Sequence, residues 1–168
     1  TTHMKKPYHK AVDKVIITLA WFFGRAFSKI HVDRACFDPE SFKESMVMVV
    51  STHRSQAEYF FFGWKLFEMG VKYLRIAAGD NLTGLPVIGK MFRSFGAFSV
   101  SRDMAFRKGY VRKLCMDVVA MMEAGEPILV FPEGGRSYGG NMLEPKGGIL
   151  LSAILAQAGN PDKKVLLL

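Results

Sequence analysis

The sequence has 168 residues, of which 49% are hydrophobic and 12% aromatic, enough for a single domain with a sizeable core. Lysine and arginine outnumber aspartate and glutamate by 23 to 15, and the resulting net charge of +8 favours an anionic partner. The chain lacks zinc-ligand spacings, an RNA-recognition motif and a helix dense in arginine, so we expect no nucleic-acid partner and no bound metal.

The N-terminal segment, residues 4–30, joins several lysines to an apolar run that extends from Val15 to Phe23. This pattern predicts an amphipathic helix, followed by a main domain in residues 31–168. Two placements fit the helix equally well: the headgroup layer of an anionic membrane, or the core of the domain itself. No apolar stretch in the sequence reaches the roughly 20 residues that would span a bilayer.

Beyond this segment, short apolar runs alternate with helical patterns. Residues 31–45 contain Pro39 and are predicted to be a connection with at most a short strand or turn. Strands are predicted at 46–50, 73–78, 95–101 and 128–131, and a further strand-like run ends the chain at 165–168. A helix should follow the first strand, and another is predicted at 105–123. The alternation predicts an α/β sandwich of two or three layers around a mixed, mainly parallel sheet.

The first candidate site lies where the strand at 46–50 gives way to a helix. His53 follows the strand, Ser55 is a candidate helix cap, and Glu58 stands three residues further on, which completes a capping box. Loops between the carboxyl end of a strand and the start of a helix are where open α/β sheets bind their ligands. A histidine beside a glutamate is nevertheless more often a satisfied polar pair or a helix cap, so this motif alone does not establish chemistry.

Two further clusters follow later strands. One is Gly96-Ala97-Phe98-Ser99-Val100-Ser101-Arg102, which puts a guanidinium group at a strand end. The other is Phe131-Pro132-Glu133-Gly134-Gly135-Arg136-Ser137. A turn with two glycines says little by itself, but the three clusters together form a fairly specific pattern.

In this order, the three stretches resemble the first three motifs of the glycerolipid acyltransferases, the superfamily of glycerol-phosphate and lysophosphatidate acyltransferases. His53 and Glu58 have the spacing of that family's His-x4-Asp motif, although the carboxylate here belongs to a glutamate, an HX4E variant. The wording at 53–55, 77–82 and 133–137 is most similar to the branch that acylates glycerol 3-phosphate or dihydroxyacetone phosphate. The resemblance covers most of residues 47–150 and implies a glycerol-3-phosphate acyltransferase-like fold.

The resemblance also implies an activity. A fatty acyl group would move from acyl-CoA or an acyl carrier protein, as a substrate and not a cofactor, to a hydroxyl of a glycerol-phosphate-type acceptor in phospholipid synthesis. His53 would be the general base, with Glu58 fixing its tautomer. Arg102 and Arg136 would bind the acceptor phosphate, because guanidinium forks match phosphate oxygens. The remaining substrate-binding candidates, for glycerol hydroxyls, for bracing an arginine or for close backbone approach, are Glu133, Gly134, Gly135 and Ser137.

Two alternatives stay open at this stage. The chain could acylate lysophosphatidate or another lysophospholipid, or it could be a non-catalytic lipid-binding module in which Glu58 marks lost catalysis. The apolar run at 165–168 stands where the family's fourth motif would begin, so we expect an acyltransferase domain truncated at its C-terminal end. We also expect a peripheral position on the cytoplasmic face of a membrane, because the acyl product is insoluble and the N-terminal segment is basic.

Overall fold

The structure, a computed structural model, describes residues 18, 21, 22, 24, 25, 39–55, 58–69, 71 and 74–168. Its strands are β1 (Met46–Val50), β2 (Arg75–Gly79), β3 (Ala97–Val100), β4 (Ile128–Val130) and β5 (Val165–Leu167). Its helices are α1 (Pro39–Glu44), α2 (Glu58–Glu68), α3 (Asp80–Thr83), α4 (Ile88–Ser94), α5 (Lys108–Glu123) and α6 (Gly147–Gly159).

The five described strands form one sheet in the order β3-β2-β4-β1-β5, and every pair runs parallel. In the register of β1 with β4, Met48 lies opposite Ile128 and Val50 opposite Val130. The β1 side chains are buried from Met46 to Val49, as expected of an unbroken apolar strand covered on both faces. The predicted α/β sandwich with a mainly parallel sheet is confirmed.

Helices cover both faces of the sheet and give three layers. Alternate side chains of β1 point to opposite faces, so Met46 and Met48 pack with α5 and α6, whereas Val47 and Val49 pack with α1 and α2. On the first face, the buried helical residues are Val118, Val119, Met121, Met122, Ala153 and Ala156. On the second face, they are Phe42, Tyr59 and Leu66.

This layering predicts a crevice at the carboxyl ends of the neighbouring strands β1 and β4. β1 and β4 are neighbours, but the chain leaves β1 into α2 on one face and leaves β4 towards α6 on the other. Connections that depart to opposite faces from adjacent parallel strands leave a gap outside their carboxyl ends, the usual place for a ligand in such sheets. His53 follows β1, and Glu133 follows β4, so both lie at this gap.

The prediction for residues 31–45 is wrong at its end, because 39–44 is the helix α1. Proline fits the first turn of a helix, where its missing N–H is not needed, so Pro39 begins this helix and does not break it. Burial of Phe42 in the core then stabilises a helix of only six residues. Helix α6 was not predicted, because its opening Gly147-Gly148 disfavours a helix and packing on α5 and on the sheet compensates.

Most of the predicted N-terminal helix at 4–30 lies outside the described residues. Within it, the described residues 18, 21, 22, 24 and 25 are helical, and the Trp21 and Phe22 side chains are 62% and 61% exposed. Arg25 stacks over the Trp21 ring at 5.0 Å. Among the described residues, no helix has the length and hydropathy to cross a membrane.

Candidate active site

The His53 imidazole lies at the crevice, packed against an aromatic wall. The residue is only 6% exposed, and its ring centroid lies 4.4 Å from that of Phe131, the residue that follows β4. Tyr59, in the first turn of α2, contacts both rings edge-on, with centroid distances of 5.3 Å to His53 and 5.0 Å to Phe131. The imidazole is therefore held by neighbours from both sides of the crevice.

Glu58 binds the imidazole and the backbone of the same loop. Its Oε2 accepts a hydrogen bond from His53 Nδ1 at 3.0 Å, while the N–H groups of Arg54 and Ser55 donate to the carboxylate at 2.9–3.0 Å. The contact from Ser55 is the reciprocal half of the predicted capping box. Because a carboxylate only accepts, Nδ1 carries the proton and Nε2 keeps its lone pair. The longer glutamate side chain thus reaches the imidazole despite the family's preference for aspartate.

Tyr59 lies on the other side of the ring and was missed by the sequence reasoning. Its hydroxyl is 3.4 Å from His53 Nε2 and donates to that lone pair, and the residue is 8% exposed. Burial raises the pKa of the Tyr59 phenol above its ordinary value. The sequence signal for this role was a tyrosine directly after Glu58. The helical pattern of apolar residues instead assigned Tyr59 to the core.

Glu133 joins the loop after β4 to the loop after β1. One carboxylate oxygen accepts the His53 N–H at 2.9 Å, and the other accepts the Leu143 N–H at 2.8 Å. The hydrogen bond from the Leu143 N–H lowers the pKa of the Glu133 carboxyl most, and the bond from the His53 N–H lowers it further. The residue is 3% exposed, so its carboxylate braces the backbone of the site. Its predicted role as a ligand of glycerol hydroxyls, or as a brace for an arginine, stays a prediction.

The predicted glycine turn and Ser137 complete the same loop. Gly134 has φ +64°, a conformation that side chains rarely adopt, and its N–H donates to Phe131 O at 3.0 Å. Gly135, half-buried, follows in the turn. The Ser137 N–H donates to His53 O at 3.0 Å, while its buried hydroxyl has no hydrogen-bond partner among the described residues. A buried hydroxyl without a partner is uncommon in folded proteins, so Ser137 is a notable polar group beside His53.

The two candidate arginines approach the site from different strands. Arg102 follows β3, and its Nε lies 3.7 Å from the position that a Cβ on Gly79, at the end of β2, would take. Arg136 stacks over the Tyr138 ring at 5.1 Å. The positive charges of both arginines oppose the rise in the pKa of Tyr59, so both are close enough to act electrostatically on the phenol. Their predicted role as phosphate ligands stays a prediction.

A third cation, Lys146, was missed by the sequence reasoning. The Lys146 Nζ lies 3.4 Å from the position that a Cβ on Gly134 would take. The backbone N–H of Lys146 donates to Pro132 O at 2.8 Å. An exposed lysine before Gly147-Gly148 has no sequence signal that separates it from other surface lysines. Within the described part of the chain, no group of three histidine, cysteine, aspartate or glutamate side chains could hold a metal ion.

The geometry defines a class of site. A buried imidazole has its Nδ1 proton fixed by a carboxylate and keeps an accepting Nε2 next to the Tyr59 phenol, on which the charges of Arg102 and Arg136 act. This arrangement suits general-base chemistry on a hydroxyl of an anionic substrate. Within the described part of the site, no serine or cysteine side chain hydrogen-bonds to the His53 ring as a protein nucleophile would.

Comparison with known proteins places the site in a family. The family model described as "Acyltransferase" matches residues 33–163. The chain therefore belongs to the Acyltransferase family, and the resemblance predicted from the three motifs is confirmed.

Curated relatives named "Glycerol-3-phosphate acyltransferase" match most of the chain. The protein from Xylella fastidiosa (strain M12) is 31% identical over 156 residues, 90% of this chain and 18% of its own length. The protein from Xanthomonas axonopodis pv. citri (strain 306) is 38% identical over 120 residues, 71% of this chain and 13% of its own. The protein from Hamiltonella defensa subsp. Acyrthosiphon pisum (strain 5AT) is 35% identical over 139 residues, 82% of this chain and 17% of its own. The chain thus spans less than a fifth of each relative's length.

Proposed function

We propose that this chain carries the catalytic centre of an O-acyltransferase that moves an acyl group from a thioester to a hydroxyl of glycerol 3-phosphate or a similar acceptor. The observation that carries the proposal is the Nδ1 contact with Glu58, which leaves His53 Nε2 as a hydrogen-bond acceptor. The names of the relatives support the same acceptor class.

His53 acts as the general base on the acceptor hydroxyl. Nε2 takes the hydroxyl proton while the oxygen attacks the thioester carbonyl, and Glu58 stabilises the imidazolium that forms. Two separate contacts support the placement of Nε2: Glu58 on Nδ1, and the brace from Glu133 to the His53 N–H. The acceptor itself supplies the nucleophile, so no covalent acyl-enzyme is required.

The acceptor phosphate binds to Arg102, Arg136 and Lys146. Arg102 and Arg136 approach it from β3 and from the loop after β4, and Lys146 lies over the turn at Gly134. Guanidinium forks match phosphate oxygens bidentately, whereas the lysine adds a point charge. The unpaired Ser137 hydroxyl is a further donor for the acceptor.

The test is an acyl-transfer assay with the purified chain. Acceptors would be glycerol 3-phosphate, dihydroxyacetone phosphate and lysophosphatidate, each offered with acyl-CoA and with acyl carrier protein as donor. We expect turnover with a glycerol-phosphate acceptor, and a roughly 10²–10⁴-fold lower kcat for His53→Ala. Preference for lysophosphatidate would favour the alternative acceptor. Absence of transfer with every pair, together with lipid binding, would favour a non-catalytic lipid-binding module.

We further propose that the domain docks on an anionic membrane at the cytoplasmic face through the segment that contains Trp21 and Phe22. Both side chains are exposed although they are large and apolar, and the segment is rich in lysine. Anionic liposomes should bind the chain, with weaker binding in high salt. The double variant Trp21→Ala, Phe22→Ala should weaken binding even at low salt. Phe106→Ala is the matched control, an exposed phenylalanine outside the segment; equal loss from both variants would contradict docking by this segment.

A further inference from the structure

The acyl-transfer mechanism leaves one buried polar group at the site without a role. The Tyr59 phenol touches the nitrogen that must accept the substrate proton, at 3.4 Å from His53 Nε2. The ring is held edge-on by His53 and Phe131, and on a third side by Phe92 at a centroid distance of 6.3 Å. Packing of the ring therefore holds the phenol oxygen next to His53 Nε2, the atom that accepts the substrate proton.

The contact with Nε2 is long and easily replaced. An O–H donor at full strength lies about 2.8 Å from its acceptor, so a distance of 3.4 Å is a weak hydrogen bond. An acceptor hydroxyl that binds Nε2 at normal distance displaces the phenol proton from that lone pair. The Tyr59 O–H is then a buried donor without a partner, which is unfavourable unless a new acceptor arrives next to it.

The reaction creates such an acceptor. Attack on a thioester carbonyl places negative charge on the carbonyl oxygen, and that charge needs hydrogen-bond donors close to the base and nucleophile. Five backbone donors around His53 are already used within the protein. The N–H of His53 donates to Glu133, those of Arg54 and Ser55 donate to Glu58, and those of Gly134 and Ser137 donate to backbone carbonyls.

We propose that Tyr59 is a further catalytic residue, whose hydroxyl donates to the developing oxyanion of the thioester once the acceptor hydroxyl has taken His53 Nε2. This inference rests on the proposed acyl transfer. It gives the phenol two successive hydrogen-bond acceptors, Nε2 in the free site and the oxyanion during the reaction.

The step balances without any change in the protonation of Tyr59. The acceptor oxygen forms a C–O bond to the carbonyl carbon as its proton passes to Nε2, and the π electron pair of the carbonyl moves to its oxygen. Collapse of the tetrahedral intermediate restores the carbonyl, breaks the C–S bond and passes the Nε2 proton to the leaving sulfur. Tyr59 keeps its proton throughout and only donates a hydrogen bond.

The surroundings of Tyr59 suit a donor that stays neutral. Burial raises the pKa of its phenol, and the negative charge of Glu58 acts in the same direction, while Arg102 and Arg136 oppose them. The net direction is upward, so the phenol remains protonated at neutral pH. The same two arginines add positive potential near the oxyanion.

The first experiment compares the kinetics of Tyr59→Phe with those of Tyr110→Phe. The second variant also removes a phenol hydroxyl. The Tyr110 oxygen accepts a hydrogen bond from the Ser101 N–H at a distance of 2.7 Å. We expect a kcat about 10²–10³-fold lower for Tyr59→Phe with little change in KM, the usual loss on removing one oxyanion donor. Tyr110→Phe should keep kcat close to that of the parent chain. Equal kcat values for Tyr59→Phe and the parent would overturn the role of Tyr59 while leaving acyl transfer intact.

The second experiment does not depend on turnover. Isotope-edited infrared spectra would record the carbonyl stretch of a ¹³C-labelled acyl-CoA bound to the His53→Ala variant. In this variant the Tyr59 hydroxyl no longer has His53 Nε2 as its hydrogen-bond acceptor. We expect a shift to lower wavenumber that disappears in His53→Ala, Tyr59→Phe. Identical spectra for the two variants, or no binding of the thioester, would overturn the inference. Failure of the parent chain to transfer an acyl group would instead contradict the proposed function.

Discussion

The turn from β1 into α2 and the loop after β4 each place a glutamate that accepts backbone N–H groups, yet the two carboxylates have different roles. Glu58 also binds His53 Nδ1 and is partly exposed, so it couples the helix cap to the imidazole. Glu133 is buried and binds only backbone, one N–H from each loop. The first loop therefore carries the reacting group, and the second keeps that group in position.

The largest expected difference between the two glutamates should appear when each carboxylate is replaced with its amide. In Glu58→Gln, the amide oxygen should keep the position that accepts both Arg54 and Ser55, which turns the amide NH₂ towards His53 Nδ1. That donor forces the proton onto Nε2 and removes the base. We expect kcat to fall towards the loss expected for His53→Ala, roughly 10²–10⁴-fold.

Glu133→Gln is the matched variant for this measurement. It leaves the Nδ1 contact intact, so its kcat should fall much less than that of Glu58→Gln. Similar losses of kcat in the two variants would mean that both glutamates act through the backbone, and that the division between the two loops is wrong.

A smaller effect should come from the cations that approach the crevice. Arg102→Lys keeps the charge but loses the planar fork, so the KM for a phosphorylated acceptor should rise about tenfold while the KM for the thioester stays close to its original value. Arg112→Lys, an exposed arginine on α5, is the control and should change neither constant. Parallel changes in both KM values for Arg102→Lys would indicate a structural arginine.

The smallest expected effect is a loss of thermal stability in Glu133→Gln. This measurement tests the hydrogen bonds from Glu133 to the backbone separately from catalysis. Glu133→Gln should lower Tm at neutral pH, because one oxygen that accepts a backbone N–H is replaced by an NH₂ group. The pKa of the Glu133 carboxyl is lowered in the folded chain, so its stabilisation is complete above the ordinary value of about 4.3 and is lost as pH falls through the lower folded pKa.

Thermal unfolding followed from neutral pH into this acid range should therefore show the Tm difference closing. Asp117→Asn is the control: it breaks an exposed pair with Lys113 and should change Tm little at any of these pH values. A Tm difference for Glu133→Gln that does not depend on pH would contradict the brace by the charged carboxylate.

Most of the local structure could be predicted from the sequence, because it depends on neighbours in the chain. The apolar run Met46–Val50 predicted a buried strand, and the spacing of Ser55 and Glu58 predicted the capping contact that the structure contains. The spacing of five residues between His53 and Glu58 across this turn brings the two side chains within hydrogen-bond reach. Helix α1 was missed, because a proline at a first turn and a proline in a connection look alike without the packing of Phe42.

The tertiary structure alone decided which distant groups meet. The contact of Glu133 with the His53 N–H joins residues eighty positions apart, and it depends on β4 lying next to β1, an order that local periodicity does not contain. The same adjacency, with α2 and α6 on opposite faces, opens the crevice at the carboxyl ends of these strands. Tyr59 shows the difference most directly: its apolar ring fits a helical core pattern, but only the folded arrangement puts its hydroxyl on His53 Nε2.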